Sequence, residues 1–231
     1  MFLAVGLLLT ITGSLFAQTV DEVITKHIAA IGGKENWLKV SSVVMEGNLS
    51  VMGQEIPMKF YQLHNKGSKQ EFSFGGMTGF SVNTPTSGYN FNPFQGQTKP
   101  EPMTEEEVKE KIDDLDLQGA LIDYKAKGHT VELAGDEEIE GTECFKLIVN
   151  AKNGGVDTYF IDKTTYYIIR TSSKTKAMGQ EVDVVVDMSN YKDVNGVKLP
   201  FSMSIAGQGN ITMTSIKINE PVSEDTFKVA Q

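Results

Sequence analysis

Met45-Glu46-Gly47-Asn48-Leu49-Ser50-Val51-Met52-Gly53-Gln54-Glu55-Ile56-Pro57-Met58-Lys59-Phe60 decides the fold class. Met45, Gly47, Leu49 and Val51 recur at every second position and share one face of an extended strand; Glu46, Asn48 and Ser50 share the other. Beyond Met52-Gly53 the alternation resumes, with Ile56, Met58 and Phe60 set against Lys59 and Tyr61. The quartet Met52-Gly53-Gln54-Glu55 returns as Met178-Gly179-Gln180-Glu181, again between alternating runs. Two similar tight turns explain this better than a duplicated domain.

The same period extends outward. Asn65 to Ser68 reads as a turn and Gln70 to Phe74 as a strand that Gly75-Gly76 breaks. Gly79 to Asn83 and Gly88 to Asn92 read as short strands around Thr84-Pro85-Thr86-Ser87. After Ile122 the expected strands are 130–134, 143–151, 156–162, 166–175, 181–191, 197–206 and 210–219, with hairpin signals at Asn153-Gly154-Gly155 and Asn195-Gly196. Short connections favour an antiparallel meander of about ten strands. A sheet that wide must curl or close to manage its edges.

Helical spacing appears in two places. Val20, Val23, Ile24, Ile28 and Ile31 follow it, with His27 on the same face, so Thr19 to Ile31 is expected as a helix ended by Gly32-Gly33. Thr19 with Glu22, and Thr104 with Glu107, fit capping boxes, in which each side chain satisfies a free backbone N–H of the other. A short turn over Glu35 to Leu38 brings Trp37 to the core, and the helix opened by Thr104 is expected to run to Ile112 with Val108, Ile112 and Leu115 as its apolar stripe.

Met1 to Ala17 contains no charged side chain and has an apolar centre at Leu3 to Leu9. It resembles a secretory signal peptide with cleavage after Ala17, and is too short for a membrane span, which needs roughly 20 apolar residues. The competing reading is a buried N-terminal strand or helix. Residues 18–231 are then expected as one domain, exported to the periplasm or cell envelope, soluble, and with no transmembrane span. Cys144 lies far from the leader, so no cysteine at the mature end offers a thiol for a lipid, and one cysteine allows no internal disulfide.

The net charge is -9, and Glu101 to Asp116, with eight acids and two bases, supplies -6 of it. No basic stripe exists to displace counterions, which argues against nucleic acid. Asp113, Asp114 and Asp116 lack the loop spacing and closing glutamate of a calcium-binding loop and read as solvated acids. His27, His64 and His129 show no metal-ligand spacing and read as structural. Cys144, beside Phe145 and Leu147, reads as an inert core thiol. Gly-x-Ser-x-Gly, phosphate-loop and dinucleotide patterns are absent, and Gly75-Gly76-Met77-Thr78-Gly79 lacks the following helix that phosphate binding needs. No cofactor, metal or catalytic residue is expected.

Several tracts, in this order, resemble the periplasmic lipoprotein-sorting carriers (LolA-like and LolB-like). They are Ala29-Ala30-Ile31-Gly32-Gly33-Lys34-Glu35, Asn92-Pro93-Phe94-Gln95-Gly96, Pro102-Met103-Thr104-Glu105-Glu106-Glu107 and Ile139-Glu140-Gly141-Thr142-Glu143-Cys144-Phe145-Lys146-Leu147. Tyr159-Phe160-Ile161-Asp162-Lys163-Thr164-Thr165-Tyr166, Tyr191-Lys192-Asp193-Val194-Asn195-Gly196-Val197-Lys198-Leu199-Pro200, Asn219-Glu220-Pro221 and Asp225-Thr226-Phe227 complete the set. The resemblance implies an unclosed antiparallel β-barrel with helices plugging its concave side, and an apolar cavity for acyl chains. The implied partners are a lipid, acyl chain or lipoprotein cargo, and an envelope or outer-membrane protein. The gating arginine of such carriers has no assigned equivalent; Arg170 is the chain's only arginine.

Phe60, Phe72, Phe74, Phe80, Tyr89, Phe91 and Phe94 crowd the central third and are the candidate cavity lining, joined by Leu115, Leu117 and Leu121 on a helix-and-loop plug. Phe and Met linings adapt to varied apolar cargo, although each such residue is equally at home in a core. Two other functions fit the same chain: a protein-interaction module without cargo, expected to show an exposed apolar patch or sheet edge, and a hydrolase with dispersed carboxylates, expected to show a polar cleft with converging acids.

Overall fold

A computed structural model describes residues 18–177 and 180–229. The expected leader and the Met178-Gly179 turn lie outside them. The strands are β1 (Ser42–Val51), β2 (Gln54–Leu63), β3 (Gly67–Phe74), β4 (Met77–Asn83), β5 (Gly88–Phe91), β6 (Glu101–Pro102), β7 (Thr130–Ile139), β8 (Thr142–Asn150), β9 (Val156–Asp162), β10 (Ile168–Ala177), β11 (Gln180–Val194), β12 (Val197–Ile205) and β13 (Gly209–Ile218). The helices are α1 (Val20–Ala30), α2 (Lys34–Trp37), α3 (Glu105–Glu110) and α4 (Tyr124–Lys127).

All thirteen strands join one antiparallel sheet in the order β6-β5-β4-β3-β2-β1-β13-β12-β11-β10-β9-β8-β7. The sheet curls without closing, and the helices plug its concave side. Four hairpins share one device. Met52-Gly53, Gly75-Gly76, Glu140-Gly141 and Asn195-Gly196 each place two consecutive positive-φ residues between paired strand ends. That is the type I′ turn, whose twist matches that of the strands. Bulges at Thr214 in β13, opposite Glu46/Gly47, and between Leu133 and Asp136 in β7 add local bend.

The concave face carries the core. Val43, Met58, Phe201, Ile211, Met213 and Ile216 pack with Ile31, Trp37 and Val40. A second cluster joins Val23 and Ile24 of α1 to Phe145, Leu147, Val149 and Ile161. Both capping boxes form as expected. The Trp37 indole donates to the Ile31 carbonyl at 3.0 Å, fixing the Gly32-Gly33 corner.

Thirteen strands form where about ten were expected, β6 and α4 were not foreseen, and several element bounds differ. β7 runs on to Ile139 because the bulge near Gly135 shifts the alternation without ending the pairing. β11 runs to Val194 through Asn190, whose positive φ leaves the register with β12 unbroken. α3 stops at Glu110, and Ile112 then precedes a 3-10 turn over Asp113–Leu115 instead of extending the helix.

Candidate functional site

The strand order creates the site. β6 and β7 are consecutive in sequence, yet they form opposite edges of the sheet. Residues 103–129 must therefore cross from edge to edge, and they do so over the concave side. Leu117 and Ile122 pack into the first core cluster and Leu121 and Tyr124 into the second. Leu115 is 1 % exposed.

Side chains pin this crossing segment at several points. Gln62 Nε2 donates to the Asp114 carbonyl at 2.7 Å, and the Asn65 N–H to the Leu115 carbonyl at 2.9 Å. The Leu117 N–H donates to His64 Nδ1 at 3.2 Å, and Asp116 is ion-paired with Lys127. On the α1 side, Tyr124 Oη donates to Asp21 Oδ1 at 2.7 Å and Lys125 pairs with the same carboxylate at 2.8 Å. Those contacts hold the Asp21 carboxyl below its usual range, Lys125 contributing most. Asp116 is thus a structural anchor rather than the solvated acid expected from the sequence.

Between the segment and β1–β4 lies a cavity of about 180 Å³. Met45 and Phe60 supply apolar wall; Gln62, Ser68, Gln70, Ser81 and Asn83 supply polar wall, with Lys111 and Asp114 at its edge. The cross-strand pairs Phe60–Gln70, Gln70–Ser81, Gln62–Ser68 and Ser68–Asn83 put these polar groups in two rows on one face. The cavity is therefore mixed in polarity, whereas the family resemblance implied an apolar one.

The register separates the predicted lining residues. Phe72 pairs with Met58 and Gly79, so it faces the concave side with Phe60. Phe94 lies 5.7 Å from the Phe72 ring and 6.3 Å from Phe74, which together make an aromatic group near the sheet's end. Phe80 and Phe91 pair with one another on the opposite face, their rings 5.6 Å apart, with Lys69 over the Phe80 ring. Tyr89 pairs with Val82 and shares that opposite phase. Among the ten, Phe60 lines the 180 Å³ cavity, and Leu115, Leu117 and Leu121 lie in the crossing segment.

Asp157 and Tyr159 of β9 were missed by the sequence reading. Asp157 pairs with Val149 and Ser173, and Tyr159 with Leu147 and Thr171, so both face the concavity. Burial pushes the Asp157 carboxyl up, and Asp114 and Asp113 push it further. Asp114 is exposed as a residue, yet partial desolvation of its carboxyl raises it against the pull of Lys111. The Tyr159 hydroxyl is raised by burial first and then by Asp157, Asp114 and Asp113. Alternation within Val156–Asp162 would have set Asp157 on the face of Tyr159 and Ile161.

The other titratable groups are structural. His27 Nδ1 donates to the Tyr166 carbonyl at 2.8 Å, and burial pushes its pKa down. His129 Nδ1 accepts from the Lys152 N–H at 3.1 Å. Cys144 is fully buried, and burial pushes its thiol up to about 11. Arg170 lies on the convex face, bonded to both Asp187 oxygens at 2.5 and 2.9 Å, with Glu140 at 3.2 Å. Among the described residues no group of three His, Cys, Asp or Glu converges as a metal would require, and no helix is long and apolar enough to cross a membrane.

No protein-family model matches the chain, and no curated protein matches it. Solved structures do. An outer membrane lipoprotein-sorting protein domain from Vibrio parahaemolyticus aligns over 89% of this chain and 94% of its own, with TM-score 0.52 and 15% identity. A LolA superfamily protein from Nitrosomonas europaea aligns over 89% and 96%, with TM-score 0.55 and 10% identity. A DUF1329 family protein from Desulfovibrio piger aligns over 90% and 97%, with TM-score 0.52 and 13% identity. At these identities the likeness is one of fold.

Proposed function

We propose that this chain, whose fold is that of LolA-superfamily and lipoprotein-sorting domains, is a cell-envelope carrier or binding protein for a lipid, acyl chain or lipoprotein. It acts by noncovalent binding and release, as a soluble exported protein once the segment up to Ala17 is removed. The observation that carries this reading is the edge-to-edge connection: a curled sheet covered by its own 103–129 segment rather than by a second sheet. Such a cover can lift without breaking the strand ladder. Phe60 and Phe72, with Leu115 and Leu117 on the cover, are the residues proposed to meet an acyl chain. Displacement of a fluorescent fatty acid by a lipopeptide tests it, together with native mass spectrometry for retained lipid. No displacement by any acyl ligand and no retained lipid would end the proposal.

An interaction module is the second reading, because Met52, Phe74, Met77 and Phe94 are exposed along one end of the sheet. It predicts co-purification with an envelope protein. The hydrolase reading is weaker. The concave acids face amide and hydroxyl side chains, while His27, His64 and His129 are all engaged by backbone groups.

A further inference from the structure

The far half of the concavity carries polar side chains that the cavity over β1–β4 does not include. On β9 and β10 the cross-strand pairs Asp157–Ser173 and Tyr159–Thr171 lie side by side on the concave face, a block two residues wide and two strands deep. Side chains paired in this way have Cβ atoms about 5 Å apart, so one small guest can reach all four. The surrounding positions on that face are apolar: Leu147 and Val149 on β8, Ile161 on β9, and Val184 and Val186 on β11. Apolar residues would continue the face without a break; here four oxygen-bearing side chains interrupt it.

Among the described residues, none of these four side chains hydrogen-bonds to another group of the protein, and none of their oxygens is sealed from solvent. All four residues are half-buried. Burial is the first cause that raises both the Asp157 carboxyl and the Tyr159 hydroxyl, so both sit inside the concavity rather than on its rim. The balance of donors and acceptors selects the guest. The hydroxyls of Tyr159, Thr171 and Ser173 each donate and accept, and the Asp157 carboxylate accepts. A phosphate or carboxylate guest brings acceptors alone and would face Asp157, on which Asp113 and Asp114 also act. An ammonium brings donors alone and leaves three hydroxyl protons competing for one carboxylate. A neutral polyol brings a donor and an acceptor with every hydroxyl and matches all four groups.

We propose that this block recognises a neutral headgroup with neighbouring hydroxyls at the polar end of an amphiphile. Asp157 accepts from the guest hydroxyls, and Tyr159, Thr171 and Ser173 supply the remaining hydrogen bonds. The apolar part of the guest lies along Val184 and Val186 toward Ile205 of β12. The proposal rests on the carrier reading and narrows it to a headgroup chemistry.

The test is calorimetric titration of the purified protein at pH 7 with decyl glucoside, decanol, decylammonium and decanoate, each below its aggregation concentration. The wild type is expected to bind decyl glucoside about tenfold more tightly than decanol, the gain of one or two neutral hydrogen bonds, and decanoate most weakly. In Tyr159→Phe/Thr171→Val/Ser173→Ala the preference should fall to within about twofold while decanol affinity holds. Tyr159→Phe alone should lose about threefold in decyl glucoside affinity, which keeps the test open if the triple variant does not fold. Thr158 and Ser172 pair with one another on the convex face of the same two strands, so Thr158→Val/Ser172→Ala should retain the full preference. Equal binding of decyl glucoside and decanol by the wild type overturns the headgroup proposal and leaves the carrier reading standing. Tighter binding of decylammonium or decanoate than of decyl glucoside overturns it too. So does a preference that survives the concave substitutions or is lost with the convex ones, because the headgroup would then be read elsewhere. Binding of none of the four overturns both.

Discussion

Truncating Leu115 tests whether the crossing segment is packed onto the sheet or merely lies over it. Leu115 is 1 % exposed, and its backbone is tied at both groups: the carbonyl accepts from the Asn65 N–H at 2.9 Å and the N–H donates to the Ile112 carbonyl at 3.1 Å. Leu115→Ala removes three buried carbons, and the tied backbone cannot follow the side chain inward. Buried Leu→Ala changes cost about 2.7–5.0 kcal/mol, the higher values belonging to sites that cannot collapse. The segment is less constrained than a central strand, so a cost of about 3 kcal/mol is expected. For a chain of this size that corresponds to a fall in Tm of about 6–12 °C. Urea unfolding followed by the fluorescence of Trp37, the only tryptophan, measures it directly. Ile112→Ala is the control: Ile112 is a near neighbour in the segment but 39 % exposed, so it should cost under about 1 kcal/mol. If Leu115→Ala also costs under 1 kcal/mol with an unchanged m value, the segment is not packed as described, and its role as a cover loses its basis.

Other expectations follow from single contacts. Gly32→Ala should cost at least about 2 kcal/mol, because φ is +112° and an added Cβ would meet the Gly196 carbonyl oxygen at 2.2 Å. Gly33→Ala, also at positive φ but with nothing within 4 Å, should cost only about 1 kcal/mol; thermal unfolding of the pair separates strain from clash. His27 has a folded pKa below its unfolded value near 6.5, so the unfolded chain binds the extra proton, and this residue's contribution is complete above that pH and lost progressively as pH falls from there through the folded pKa. His27→Gln should therefore flatten the acid limb of a stability–pH curve, by at most about 1.4 kcal/mol per pH unit. Arg170→Met should cost about 1 kcal/mol through its partly exposed pair with Asp187, and should change fatty-acid affinity less than twofold because the pair lies on the convex face. A larger change in affinity would return Arg170 to consideration as a gate.

The strands were legible because one face of each is buried, and the period of two then appears directly in the sequence. Val156–Asp162 emerged with the expected bounds, and Asn195-Gly196 turned where its positive φ values require. One failure occurred where a bulge shifts the phase, near Gly135 in β7; another at the end of β11, where the pairing with β12 continues past Asn190 to Val194. Hydrophobicity alone could not assign Phe80 and Phe91 to a face. Their phase is set by Phe72–Gly79 and Glu71–Phe80 pairing, and that register belongs to the hairpin rather than to either strand.

The site was less legible than the sheet for a topological reason. The concave side exists because β1 pairs with β13, the strands farthest apart in the chain, and because β6 and β7 are left as the two free edges. Nothing local in residues 103–129 announces that they must span the distance between those edges; their acids look like an ordinary solvated helix face. Once the span is imposed, Asp113 and Asp114 are carried over a wall that holds Gln62, Gln70 and Asn83, and Asp157 approaches from the far half of the sheet. A purely apolar concavity would favour chains of any headgroup equally. A concavity that sets Gln62, Gln70 and Asn83 beside Met45 and Phe60 does not, so the polar residues rather than the aromatic ones are the place to look for the identity of the cargo.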